Sequence, residues 1–121
     1  MLNRYNTLLT IALTGILGAV TGHSATAGNV PRVALLELYT SEGCNSCPPA
    51  DRWFSQLTVA GGSVVPLAFH VDYWDHLGWP DRFASAEATE RQRQLARADG
   101  RSGVYTPQVR IAGQDWRRWP A

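Results

Sequence analysis

Apolar and polar positions follow one another along this chain in blocks that read as strand, helix, strand, helix, strand. Residues 33–39 (VALLELY) form an almost continuous apolar run of strand length, interrupted by Glu37. Such a run fits a strand covered on both faces. From Ala50 the apolar residues fall at Ala50, Trp53, Phe54 and Leu57, one stripe of an amphipathic helix. Pro48 and Pro49 are tolerated only in a first helical turn, where backbone N–H groups lack an intrahelical acceptor. The helix therefore begins at or just after the Cys44–Cys47 segment, and Gly61-Gly62 ends it. Residues 63–70 (SVVPLAFH) predict a second strand, at a sheet edge because Pro66 cannot donate to a ladder. Short strand–helix–strand links imply that the two strands run parallel.

Residues 71–81 (VDYWDHLGWPD) form an aromatic, acidic loop. Residues 83–98 predict a polar helix with Ala84, Ala88, Leu95 and Ala98 on one side. Glu87 stands four before Arg91, the spacing of a helical ion pair, and Gly100 is the stop signal. Residues 105–112 (YTPQVRIA) predict a third strand and residues 113–115 a turn, with Trp116-Arg117-Arg118-Trp119 beginning a fourth strand.

Ahead of these blocks the chemistry changes. Residues 8–20 (LLTIALTGILGAV) are uncharged and largely apolar, Arg4 precedes them, and Ala25-Thr26-Ala27 offers an A-x-A cleavage pattern. These are the marks of a secretory signal peptide over residues 1–27. A spanning helix needs about 20 apolar residues, more than this run supplies. The expected mature domain is 28–121, without a membrane span. Its compartment is then the periplasm or the exterior, where disulfides form and persist. The whole chain has 121 residues, 45% hydrophobic and 17% charged, with a formal net charge of +1. That is enough for one domain, and the balance gives no sign of nucleic-acid binding. All eleven basic residues are arginine, which excludes lysine-based Schiff chemistry.

Cys44 and Cys47 are the two cysteines of the chain. A thiol reacts as thiolate, and a cysteine at a helix start gains from unpaired N–H donors and the positive end of the helix dipole. The amides of Asn45, Ser46 and Cys47 are the expected donors. Two intervening residues let the second sulfur reach a mixed disulfide formed by the first. Cys44 would attack and Cys47 resolve, provided that the first sulfur is open to solvent. The pair also fits a structural bridge, or half of a zinc site whose second ligand pair is missing.

The segment Tyr39-Thr40-Ser41-Glu42-Gly43-Cys44-Asn45-Ser46-Cys47 resembles the strand–loop–helix active site of the glutaredoxin and thioredoxin superfamily. Tyr105-Thr106-Pro107-Gln108-Val109 resembles that superfamily's cis-proline strand. With His70-Val71-Asp72-Tyr73-Trp74-Asp75, Gly78-Trp79 and Arg91-Gln92-Arg93, the chain from about residue 33 to 113 is similar to a family of exported thioredoxin-like bacterial proteins of unassigned function. The resemblance implies an α/β thioredoxin-like fold, a mixed sheet of order 2-1-3 plus a partial fourth strand, and helices on both faces. It also implies thiol–disulfide oxidoreduction through Cys44 and Cys47, with Thr106 and a cis Pro107 holding the substrate backbone. The partners would be client thiols or disulfides and a redox partner, with no cofactor and no metal.

The pattern departs from the superfamily in three ways. The Gly-Pro insert of thioredoxin is absent between the cysteines. Glu37 lies one residue further from Cys44 than thioredoxin's buried acid, which turns it to the other sheet face, so its carboxylate is expected to reach solvent. The domain also looks incomplete at its C-terminus, leaving Trp116 and Trp119 to be covered by a closing segment. Two other functions stay open. One is a copper- or zinc-binding module using Cys44, Cys47 and His70 or His76; the other is a thioredoxin-like binding domain whose cysteines no longer cycle. His70, Asp72, Asp75 and His76 also suit a hydrogen-bonded loop beside Tyr73, Trp74 and Trp79, aromatics that could wall a substrate groove.

Overall fold

β1 (Ala34–Thr40) is an inner strand, with β2 (Val64–His70) parallel on one side and β3 (Gln108–Ile111) antiparallel on the other. β4 (Gln114–Asp115) pairs with β3 and completes a mixed sheet of order β2-β1-β3-β4. The helices are α1 (Pro48–Ser55) and α2 (Ala86–Ala98). This is the expected α/β architecture, consistent with a thioredoxin-like fold. The computed structural model describes residues 32–57 and 62–120. The leader expected over residues 1–27 and the helix stop expected at Gly61 lie outside the described residues.

Alternate residues of a strand face opposite sides, and the two sides of this sheet differ in kind. Leu36, Leu38 and Val109 meet Ala50 of α1 in a buried apolar cluster, with Trp53, Phe54, Leu57, Val64 and Ile111 around it. Trp116 and Trp119 join this side: their rings lie 5.9 and 5.6 Å from that of Trp53. Both are half-buried. On the other side Glu37, Tyr39, Gln108 and Arg110 are buried against α2. Polar groups taken from water must be hydrogen-bonded, and all of these are except Arg110 Nε, which is buried without a partner. Glu37 accepts from the Tyr39 hydroxyl at 3.0 Å and from Arg91 Nε at 2.9 Å. Gln92 Nε2 donates to Tyr105 O and Gln108 Oε1, and Arg110 Nη1 donates to Asp99 at 2.6 Å. Burial beside Glu37 pushes the Tyr39 phenol well up. Glu37 does face away from α1, but its carboxylate does not reach solvent, because Arg91 folds over it.

Several boundaries move from their expected places for local reasons. α2 starts at Ala86 because the Ser85 hydroxyl accepts the Ala88 N–H at 3.1 Å, a side-chain N-cap. Its buried face is Ala88, Thr89, Gln92 and Ala96. A hydropathy stripe passes over Thr89 and Gln92, since their partners lie on other elements. Arg91 pairs with Glu37 at 2.8 Å rather than with Glu87. Gly100, at φ +72°, does end α2. Its N–H donates to Arg97 O and the Arg101 N–H to Ala96 O, a Schellman pair. β3 begins three residues later than expected, past a cis Thr106–Pro107 bond. The hairpin turn is Ala112-Gly113, both at positive φ. The fourth strand is therefore Gln114–Asp115 and not the Trp116–Trp119 run. Pro66 stands on β2, an edge strand, as its missing N–H requires.

The 71–81 loop is pinned to the chain before Cys44 through one buried carboxylate. Asp81 is 4% exposed and accepts from the Glu42 N–H at 2.9 Å, His70 Nδ1 at 2.6 Å and the Phe83 N–H at 2.8 Å. Burial pushes its pKa up, yet these hydrogen bonds outweigh it and hold the carboxyl below its usual range.

Two expectations follow for stability. A group held below its unfolded pKa stabilises the fold fully above the ordinary carboxylate range and loses that contribution as pH falls through its folded value. Asp81→Asn should therefore flatten the fall in urea midpoint between about pH 5 and about pH 3. Arg91→Ala should lower stability by about 2 kcal/mol, discounted from a fully buried pair because the Arg91 side chain is 43% exposed. A lower urea midpoint at unchanged slope is the expected sign.

Candidate functional site

The chain leaving β1 makes two successive tight turns before α1. The Cys44 N–H donates to Ser41 O at 3.1 Å and the Cys47 N–H to Cys44 O at 3.2 Å. Cys47 rather than Cys44 is the N-cap of α1, and its side chain makes no capping hydrogen bond. The helix is fastened to β1 where the Thr40 hydroxyl donates to Asp51, in the first turn, at 2.7 Å. Cys44 and Cys47 form a disulfide with a Cα–Cα separation of 5.4 Å.

Two hydroxyls surround the first sulfur in place of the expected amides. Thr106 Oγ1 donates to Cys44 Sγ at 3.2 Å, and Ser46 Oγ lies 3.5 Å from the same atom. Trp74 Nε1 donates to Thr106 Oγ1 at 2.8 Å. The bond between Thr106 and Pro107 is cis, as expected, and both residues are half-buried. Pairing of β3 with β1 starts at Gln108, so Thr106 and Pro107 lie outside the ladder, next to the disulfide. The two motifs, 62 residues apart, thus meet at one sulfur. Its setting differs from expectation in exposure: Cys44 is 2% exposed and Cys47 is fully buried.

The 71–81 loop packs on the residue just before Cys44. At Gly43 an added Cβ would stand 3.2 Å from Trp74 Cβ and 3.5 Å from Trp79 O. The loop therefore rests on backbone that has no side chain to hold it off. The Trp79 indole N–H donates to Glu42 at 3.2 Å, while its ring remains 64% exposed. Leu77 and Phe83 are exposed nearby in sequence. Of the aromatics proposed as a groove wall, Trp74 and Trp79 reach the cysteine segment. Tyr73 does not contact the cysteine segment itself: its hydroxyl donates to Gln92 of α2 at 3.1 Å and lies near Thr106.

The polar residues considered as metal ligands are distributed rather than gathered. His70 holds Asp81, the Asp72 carboxylate accepts from Thr89 at 2.6 Å, Asp75 accepts the Asp81 N–H, and His76 is exposed. Among the described residues no three His, Cys, Asp or Glu side chains stand together as a metal set. Two contributors were not legible in the sequence. Asp81 acts on Glu42, 39 residues away, and Trp74 on Thr106, 32 away. Neither belongs to a local pattern, though a lone Asp after Trp79-Pro80 and an indole in a polar loop are the traces that could have pointed there.

No curated protein matches the chain. A crystal structure of a protein from Agrobacterium tumefaciens, solved by a structural genomics consortium, is 53% identical with a TM-score of 0.59. The match covers 66% of this chain and 36% of that one, so this chain spans about a third of that protein's length. A family model described as "Protein of unknown function (DUF1223)" matches residues 35–121. With most of β1 and everything after it inside that match, the chain belongs to the DUF1223 family.

Proposed function

We propose that Cys44 and Cys47 are a redox-active pair carrying out thiol–disulfide exchange on exported polypeptides. The observation that carries this reading is the 3.2 Å contact between Thr106, beside the cis proline, and the sulfur of Cys44. A bridge serving stability alone has little reason to meet a polar donor, and it would add little, since closing so short a loop removes little chain entropy. In the reduced pair the Cys44 thiolate attacks a client disulfide. One client sulfur becomes bonded to Cys44 and the other leaves as thiolate. The Cys47 thiolate then attacks Cys44, re-forming the bridge and releasing the second client thiolate. The pair loses two electrons and the client gains them. Run backwards, the same steps oxidise a client dithiol, and the relative stabilities of the two couples set the direction.

Near-burial of Cys44 sets a condition on this chemistry. With Cys44 2% exposed, a client reaches its sulfur only once the groups over it are displaced, so exchange is slower than at an open site. The exposed Trp79 ring, with Leu77 and Phe83, offers apolar surface for the client chain as it arrives. Thr106, free of the β ladder, offers backbone for it to pair with.

Cys44→Ser should bring disulfide reduction down to background. Cys47→Ser should accumulate covalent client adducts at Cys44, seen as added mass that a thiol reductant removes. If neither variant changes turnover or adduct mass, the cysteines do not cycle and the bridge is structural.

A further inference from the structure

The direction of the hydrogen bonds around Cys44 is fixed by elementary chemistry. An indole N–H donates and has no lone pair to accept with. Trp74 Nε1 lies 2.8 Å from Thr106 Oγ1, so that oxygen is the acceptor. The hydroxyl has one proton, and it must point away from the indole. Cys44 Sγ lies 3.2 Å off and takes it. The Tyr73 phenol also lies near this hydroxyl; its proton goes to Gln92, and the hydroxyl's own hydrogen bond is the one to Cys44.

We propose that Trp74 is a positioning residue for the Cys44–Cys47 pair: it holds the Thr106 hydroxyl in the orientation that donates to Cys44 and so stabilises the thiolate of the reduced form. This rests on the redox reading above. A hydroxyl without a second partner turns freely, and each turn away from the sulfur leaves an anion undersolvated. Fixing it beforehand removes that reorganisation, and a hydrogen bond to a charged sulfur is worth more than one to a neutral thiol. Trp74 is itself fixed, its Cβ in close approach to Gly43. The residue that orients Thr106 is thereby registered against the backbone next to Cys44.

The ionisable groups on the neighbouring segments are mostly carboxylates. Glu42 (on Trp79), Asp51 (on Thr40), Asp72 (on Thr89), Asp75 (on the Asp81 amide) and Asp81 (on His70) are each engaged elsewhere, and the cationic Arg52 of α1 and His76 are exposed. The carboxylates act against a thiolate. His70 is already paired with Asp81, and burial pushes the Tyr73 phenol up, keeping it neutral. Thr106, with Ser46 at 3.5 Å, is the counterweight, and Trp74 keeps it aimed.

The test uses the full chain, reduced, with the Cys44 pKa read from the pH dependence of its alkylation rate. Thr106→Val should raise that pKa by about one unit, and Trp74→Phe should raise it in the same direction. The double variant should match Thr106→Val alone, because Trp74 acts only through that hydroxyl. Thr106→Ser should restore the wild-type value. Should Trp74→Phe fail to fold, the wild-type protein still answers. The Trp74 indole N–H resonance should titrate with Cys44, and Thr106→Val should abolish that titration. A Cys44 pKa unmoved by Trp74→Phe, shifts that add in the double variant, or an indole resonance blind to Cys44 overturns the inference while exchange by the wild type leaves the redox reading standing. A wild-type pair that exchanges with no disulfide overturns both.

Discussion

One hydroxyl-to-sulfur contact links the two motifs of the candidate site. Cys44 belongs to the turn after β1 and Thr106 to the chain entering β3, and the sheet brings them together because β1 and β3 are neighbours. The chain pairs only from Gln108 onward, which leaves Thr106 and Pro107 unpaired over the end of β1. The chemical character of the pair therefore comes from tertiary placement. Cys47, not Cys44, holds the N-cap of α1, so local helix electrostatics cannot by themselves single out the first sulfur.

The sheet divides its work between two faces. The α1 face is apolar and closes with three indole rings, which positions the helix that carries Cys47. The α2 face is polar and nearly saturated: Glu37 with Tyr39 and Arg91, Gln92 with Gln108, Arg110 with Asp99. Hydrogen bonds are directional where apolar contacts are not, so this face fixes the register of α2. The α2 residue Thr89 then holds Asp72, at the base of the 71–81 loop.

Fold class and strand order were legible because they depend on period and punctuation. The apolar run of β1, the 50, 53, 54, 57 stripe, Pro66 on an edge and Gly100 after a helix each act locally. What sequence reading missed depends on partners distant in the chain. Glu37 was expected at the surface because a strand acid usually finds water, and Arg91, 54 residues on, supplies the charge that lets it stay inside. Thr89 and Gln92 are buried on α2 although the stripe read along that helix named Ala84, Ala88, Leu95 and Ala98. The cysteines and Thr106-Pro107 were identified as a pair of motifs, and the structure unites them. The near-burial of Cys44 was not visible, since it depends on tertiary packing that leaves no local trace in the sequence.

The central claim is that Cys44 and Cys47 interconvert between dithiol and disulfide in the folded protein. Equilibrating the native chain in glutathione buffers of graded potential, and counting alkylated thiols by mass, measures this directly. The account predicts one reversible two-electron transition, with the helical and aromatic circular dichroism preserved on both sides of it. A bridge that resists every buffer until the protein is unfolded would contradict it.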